Sequence, residues 1–303
     1  MVSEDPLSEY EPKSWWDDQK TSWSHRALSK FLKINGPIPA HVAVVMDGNR
    51  RFARENRLES IVRGHERGFV QLQKVLCWCS DLGIRELTVY AFSIENFKRS
   101  SEEVEGLMRL AEEQFKKLLQ EKEKLEEKQV CFRFWGRLEL LRPQLRKLIV
   151  EVERLTAGYT KSCLNICMPY TAKDEAVRAA EVMRLAAQEG LVDDQQVSLS
   201  LLRECMDSRR SKDPDLIIRT SGEYRWSDFM LIQGSYTHVY FVDVLWPEFE
   251  HRHLCQAIFD YQRHYKSIKA LPRSEAPGEE LSEELKTFIS NYHRQRYENL
   301  VTI

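Results

Sequence analysis

One aspartate and two arginines stand together in the run Asp47-Gly48-Asn49-Arg50-Arg51. The apolar stretch before it, Val42 to Met46, reads as a buried parallel strand. Gly48 ends that strand, and Asn49 is placed to cap a helix that Arg50, Phe52, Ala53 and Arg54 begin. Free backbone N–H groups at a helix start, flanked by guanidinium groups, suit a phosphate, and a carboxylate beside them can hold a divalent metal. Arg63-Gly64-His65 follows shortly after. The chemistry suggested is metal-assisted and acts on a diphosphate.

Two further clusters carry reactive side chains. Tyr90 to Arg99 includes Ser93, Asn96, Phe97 and Arg99, and Asp215 to Phe229 includes Arg219, Arg225 and Ser227 around a turn at Gly222. Two forked cations and a hydroxyl at a glycine turn match what a diphosphate needs, several charge-assisted hydrogen bonds worth about 1.5–3 kcal/mol each. With the first cluster they make two anion sites, hence two phosphorylated substrates brought together. A fourth cluster, Val244-Leu245-Trp246-Pro247-Glu248-Phe249, reads as structural. Taken singly, each cluster serves equally well as a capped strand end or a set of surface ion pairs. The chain has neither a Gly-x-x-x-x-Gly-Lys-Ser/Thr loop nor a Gly-x-Gly-x-x-Gly fingerprint, which argues against ordinary nucleotide sites.

Positioning these residues falls to an alternating pattern. Strands are expected at 41–46, 87–92, 130–135, 163–168, 215–219 and 239–244. Helices are expected at 69–80, 101–128, 141–157, 173–188, 198–206 and 251–268. Such alternation predicts an α/β domain with a central, mostly parallel six-stranded sheet flanked by helices. Ligands of such sheets gather beyond the carboxyl ends of the strands, where Asp47, Ser93 and Arg219 all fall. The helix at 101–128 has an apolar stripe (Val104, Leu107, Met108, Ala111, Phe115, Leu118, Leu119) and a charged end, Glu121 to Lys128.

Composition sets the bounds. The chain has 303 residues, 42% of them hydrophobic, and a formal net charge of −2, which speaks against nucleic acid as a ligand. Its seven cysteines lack the spacing of a disulfide framework, so a reducing, cytosol-facing compartment is expected. No apolar run has the length of a membrane span, and the acidic start is not a signal peptide. Residues 1–20 read as a disordered lead. The segment with Trp15, Trp16, Trp23, Leu28, Phe31 and Leu32 reads either as a membrane-interface helix or as an amphipathic helix packed on the body or a partner. Near the end, Leu281, Leu285, Phe288, Ile289 and Tyr292 have helical spacing. The resulting division is 1–33, a lead with an amphipathic segment; 34–268, a catalytic domain; and 269–303, a helical tail.

The motifs HVAVVMDGNRRFA, GHERGF, LTVYAFSIENFKRSSEEV, DLIIRTSGEYRWSDFML and VYFVDVLWPEF occur in this order. Together they resemble the cis-prenyltransferase family over about residues 34–265. The details YAFSIENFKRS and EKEKLEEK resemble its eukaryotic catalytic-subunit branch, the dehydrodolichyl diphosphate synthases. The resemblance implies condensation of isopentenyl diphosphate onto an allylic diphosphate, usually farnesyl diphosphate, with Mg2+. It implies that Asp47 holds the metal and that Gly48, Asn49, Arg50 and Arg51, with His65, cradle the allylic diphosphate. Arg219, Arg225 and Ser227 would bind isopentenyl diphosphate. Ser93 and Asn96 would stand at the reacting centre, supported by Phe97, Arg99 and Glu103. The product would grow in an apolar tunnel between the 101–119 stripe and the helix carrying Phe69, Leu72, Val75 and Leu76. Each five-carbon unit would bury roughly 3–4 kcal/mol of hydrocarbon. A dolichol-type product for protein glycosylation, made peripherally on the cytosolic face of the endoplasmic reticulum membrane, is what this branch implies. A non-catalytic scaffold binding a partner or a lipid diphosphate is the alternative.

Three departures from the family pattern stand out. Ile61 replaces the arginine four residues before the histidine of Gly64-His65, leaving Arg57 or Arg63 as substitutes. His238 replaces a metal-linked glutamate, and Tyr224 a histidine, of self-sufficient homodimers. No Arg-x-Gly triplet follows Pro272. The resemblance therefore implies a heteromer with an accessory subunit similar to the Nogo-B receptor.

Overall fold

Six strands form the sheet: β1 (His41–Val45), β2 (Glu86–Tyr90), β3 (Val130–Trp135), β4 (Ser162–Cys167), β5 (Leu216–Arg219) and β6 (His238–Phe241). Their order is β3-β4-β2-β1-β5-β6, and every neighbouring pair is parallel. The computed structural model describes residues 14–16, 22–193, 195–272 and 281–302. The rest of the expected 1–20 lead, and residues 273–280, lie outside the described residues.

Alternation along the strands divides the interior into two layers. On one face Val42, Val44, Leu87, Val89, Phe132, Phe134, Leu164 and Ile166 join the main core. That core also takes in side chains of α3 (Ile61–Leu82), α4 (Ser101–Gln120), α6 (Pro143–Thr156) and α9 (His251–Lys269). On the other face Ala43, Val45, Cys167 and Ile217 pack with Phe229, Met230 and the start of α7 (Ala172–Gln188). Strand order reverses at β1, which pairs β2 on one side and β5 on the other. Open parallel sheets form their ligand crevice at such a switch point. The register places Val45 of β1 opposite Arg219 of β5, so the two chemical clusters leave the sheet side by side.

Several elements differ from the pattern read in the sequence. The helix expected at 69–80 begins at Ile61, where the Ser60 hydroxyl accepts from the Arg63 N–H and caps it. The helix expected at 101–128 stops at Gln120 and restarts as α5 (Lys122–Lys128). At the break the Glu121 carboxylate binds the Ser14 hydroxyl at 2.7 Å and the Trp15 N–H at 3.3 Å. Between β5 and β6, where no helix is expected, turns carry the chain across.

The two flanks of the expected catalytic domain pack on the body. The boundary drawn at residue 33 falls inside α1 (Trp23–Asn35), which lies along α9: Gln262 donates to the Leu32 carbonyl at 2.8 Å, and His25 stacks on His251. Of the amphipathic segment's residues, Trp15 and Trp16 are buried in the main core, which is the packed-on-body alternative. Trp23, Phe31 and Ile34 face outward from α1. In the tail, α10 (Glu283–Thr302) packs on the body through Leu285 and Ile289. Arg296 locks it further, binding Glu139 at 2.7 Å and Asp207 at 2.8 Å. Among the described residues no helix is long and apolar enough to cross a membrane.

Candidate active site

Asp47 leaves β1 into a backbone turn that the neighbouring strand secures. The Thr220 hydroxyl accepts from the Asp47 N–H at 3.0 Å and meets the Asp47 carbonyl at 2.9 Å. Gly48 then adopts φ 103°, and a Cβ there would stand 2.9 Å from the Leu245 side chain, so only glycine fits. Gly48, rather than Asn49, occupies the cap position of α2 (Asn49–Glu55) and brings no side-chain cap. The Asn49 amide instead donates back to the Met46 carbonyl at 3.2 Å. Its oxygen is buried without a partner against Gly68 of α3. The expected asparagine cap fails because α3 lies too close to leave that side chain another course.

The Asp47 carboxylate accepts from the Gly48 N–H at 2.8 Å and from Arg219 at 3.1 Å. Arg219, 2% exposed, also donates to the Ser227 hydroxyl at 2.8 Å and to the Arg225 carbonyl. Burial lowers the Arg219 pKa from its usual value, and the Asp47 charge opposes that shift. Ser221 at φ 79° and Ser227 at φ 50° hold left-handed backbone, which curls the loop around its own guanidinium. Arg51 donates to the Ser221 carbonyl at 3.1 Å and meets Glu223 at 3.3 Å, and Arg225 pairs with that same Glu223. Clusters 172 residues apart in sequence thus form one centre.

Glu103, on α4 and 5% exposed, anchors the other side. One carboxylate oxygen meets Arg99 at 2.8 Å, Arg50 at 3.6 Å and His65 at 3.6 Å. Its pKa is lowered, first by His65 and then by the two guanidiniums, against the opposing effect of burial. His65 is pushed down by its own burial and is therefore held neutral. Ser93 and Asn96 close on each other: the Asn96 oxygen accepts from the Ser93 N–H at 3.0 Å, and the Ser93 hydroxyl accepts from the Glu95 N–H at 3.2 Å. Phe97 packs edge-on to Phe92.

Beyond this polar centre a cavity of about 120 Å³ opens between the sheet and α3 and α4. Phe69, Leu72, Leu107, Met108, Ala111 and Phe115 line it, with Met46, Phe92 and Trp246 nearer the polar end. Val75, Leu76 and Leu118 from the expected lining lie in the core instead. The sequence reading did not include Trp15, whose ring lies edge-on to Phe69 and stacked on Phe115. Its indole N–H donates to the Gln114 carbonyl at 2.6 Å.

Of the expected residues, Asp47, Arg51, Arg219, Arg225 and Ser227 meet in one set of contacts, and Arg50, His65, Arg99 and Glu103 in another. Arg57 takes a left-handed turn after α2, and Arg63 pairs with Glu66 at 2.9 Å. His238 begins β6, bonded to Asp260 at 2.8 Å, and Tyr224 donates to Asp243 at 3.0 Å. The residues the sequence reading missed are Thr220 and Glu223. Both lie inside a motif already singled out, and the signal for Glu223 is charge balance, since clustered arginines need an anion when no substrate is bound.

A family model described as putative undecaprenyl diphosphate synthase matches residues 45–269. The chain belongs to the cis-prenyltransferase family. The dehydrodolichyl diphosphate synthase complex subunit of Homo sapiens is 44% identical over 256 residues, covering 84% of this chain and 76% of that one. The tritrans,polycis-undecaprenyl-diphosphate synthase (geranylgeranyl-diphosphate specific) of Methanopyrus kandleri is 42% identical, over 78% and 87% respectively. The crystal structure of lavandulyl diphosphate synthase from Lavandula x intermedia, in complex with dimethylallyl diphosphate, superposes with a TM-score of 0.70. It shares 29% identity over 74% of this chain and 95% of that one. This cis-prenyltransferase has the parallel α/β sheet expected of it.

Proposed function

We propose that this cis-prenyltransferase is a catalytic subunit that condenses isopentenyl diphosphate onto farnesyl diphosphate. The product would be a long polyprenyl diphosphate of the dehydrodolichyl type, made for dolichol and protein glycosylation. The observation that carries this reading is the 3.1 Å contact between Arg219 and Asp47, which joins two cation clusters at one switch point beside an apolar cavity. Two diphosphates fit two clusters, and a hydrocarbon fits the cavity. The human relative's name supplies the product class.

On this reading the Gly48 turn, Asn49, Arg50, Arg51 and His65 take the allylic diphosphate, while Arg219, Arg225 and Ser227 take isopentenyl diphosphate. Asp47 is the residue to hold Mg2+: its carboxylate stands at the strand mouth, and each oxygen has a lone pair beyond its single hydrogen bond. The ion, when bound, neutralises charge on the departing diphosphate. Arg50 and Arg51 do the same from fixed positions as the allylic bond breaks. The buried Arg219 stays charged beside Asp47 and orients the second diphosphate, so that its alkene faces the developing allylic cation. Ser93 and Asn96 hold each other, and Phe97 holds Phe92, at the junction of polar centre and cavity. Glu103 keeps Arg50, Arg99 and His65 in place.

A heteromer with an accessory subunit similar to the Nogo-B receptor is part of the proposal, with peripheral residence on the cytosolic face of the endoplasmic reticulum membrane. His238 and Tyr224, in place of the residues of self-sufficient enzymes, support the partner. The outward Trp23, Phe31 and Ile34 of α1 support the membrane surface. The test is incorporation of labelled isopentenyl diphosphate with farnesyl diphosphate and Mg2+, by the folded chain alone and with the accessory subunit, followed by sizing of products. Long products only with both subunits are expected. No elongation in either arm sinks the enzymatic reading, and full activity alone sinks the heteromer.

A further inference from the structure

His238, Asp260 and His264 form a cluster with no part in the polar centre. One donor atom from each lies within 4.8 Å of the other two. The His238 Nε2 stands 2.8 Å from one Asp260 oxygen, and the His264 ring lies 3.7 Å from the other. The two imidazole rings stack with centroids 5.1 Å apart. Asp260 and His264 are four residues apart on α9 and so share a face, while His238 reaches them from the first position of β6.

Around a tetrahedral ion with bonds of about 2.0–2.1 Å, donors stand roughly 3.3 Å apart, so small rotations complete the arrangement. The His264 Nδ1, the atom 3.7 Å from the carboxylate, also lies 2.9 Å from the Asp260 carbonyl oxygen; donating there as an outer-shell contact leaves Nε2 as the nitrogen that ligates, after a turn of the ring. Two imidazoles and one carboxylate suit zinc-class ions; magnesium prefers oxygen ligands throughout. Leu216 pairs with His238, three residues before Arg219 on β5, so the cluster sits about 10 Å along the strands from the Asp47–Arg219 contact.

We propose that His238, Asp260 and His264 bind one zinc-class divalent ion, with water in the fourth position. The ion ties the edge strand β6 to α9. From β6 the chain runs into Val242 and Val244, whose carbonyls accept from the Gly222 and Ser221 N–H groups of the Arg219 loop. The metal therefore braces that loop without entering it.

The test is calorimetric titration of the chelator-stripped full chain with Zn2+ in millimolar Mg2+, repeated for His264→Ala and Asp260→Asn. His264 is half exposed, so its removal leaves the fold intact. One equivalent bound at micromolar affinity or tighter is expected, with at least tenfold weakening in each variant and a rise in melting temperature on Zn2+ addition in the parent only. A Co2+ spectrum with ligand-field bands and no sulfur charge transfer is expected too. Affinity within twofold of the parent in both variants overturns the proposal, and so does a thiolate band showing the ion on cysteine.

Discussion

Gly64→Ala tests the idea that the diphosphate turn is set by how closely α3 lets α2 approach. A Cβ at 64 would stand 2.9 Å from the Ala53 Cβ and 3.2 Å from the Asn49 carbonyl carbon, with the carbonyl oxygen nearer still. Carbon atoms pack best at about 3.5–4.0 Å, so α2 has to withdraw by about 1 Å. Overpacking of this kind costs about 1–3 kcal/mol, partly offset by the roughly 1 kcal/mol that alanine gains over glycine inside a helix. The net loss of stability is therefore about 1 kcal/mol. The functional effect is larger, because α2 carries Arg50 and Arg51, and a misplacement of about 1 Å can cost roughly 10²-fold in rate. Steady-state turnover against farnesyl diphosphate should fall on that scale. The KM for isopentenyl diphosphate should change little, since Arg219 and Ser227 belong to another loop. Gly158→Ala is the control, because a Cβ there meets nothing. A Gly64→Ala enzyme with kcat/KM within threefold of the parent refutes the reasoning.

Asp47→Ala should lower turnover about 10²–10³-fold, the scale of losing one charge-stabilising group. Equilibrium binding of isopentenyl diphosphate should stay the same or tighten, because Arg219 is released from its carboxylate; parallel loss of both would be fatal to the two-site assignment. Glu103→Gln leaves Arg50 and Arg99 without their shared anion, and His65 should then stay neutral to lower pH, read by NMR titration of its ring. Trp15→Ala should lengthen the product distribution by opening the cavity wall, at about 3–5 kcal/mol of stability; unchanged lengths by chromatography would count against the lining. Burial raises the Glu153 pKa from 4.5 to about 7. Its protonated form is the one the fold prefers, so this contribution is complete below pH 4.5 and disappears as pH climbs through 7, an effect of up to roughly 3 kcal/mol. Glu153→Gln should therefore raise the melting temperature at pH 8 and barely change it at pH 5.

β1 to β5 were legible because each is a short, largely buried apolar run, while the edge strand β6 is only half-buried; Asp47 and Arg219 were legible as charges at strand ends. What sequence could not give was distance between elements. Asn49 looked like a helix cap on local grounds, and only the approach of Gly68 explains why its side chain turns away. The continuous stripe through Leu119 gave no hint of a break at Glu121, which a contact with Ser14 accompanies 107 residues away. Trp15 read as part of an amphipathic segment lying on a membrane or packed on the body or a partner, and nothing local showed that its indole closes the cavity. His238 was noticed for the glutamate it replaces, while its partners 22 and 26 positions later passed as an ordinary helix face.

Arg51 and Arg225 both rest on Glu223. That glutamate is a tethered competitor. On the proposed assignment its carboxylate occupies cations that a diphosphate would claim, at an effective concentration fixed by the loop rather than by the medium. Entry of substrate is then an exchange of one anion for another, and departure of free diphosphate is the same exchange reversed, with a replacement already in reach. Removing the Glu223 charge should tighten diphosphate binding while slowing release of the diphosphate product.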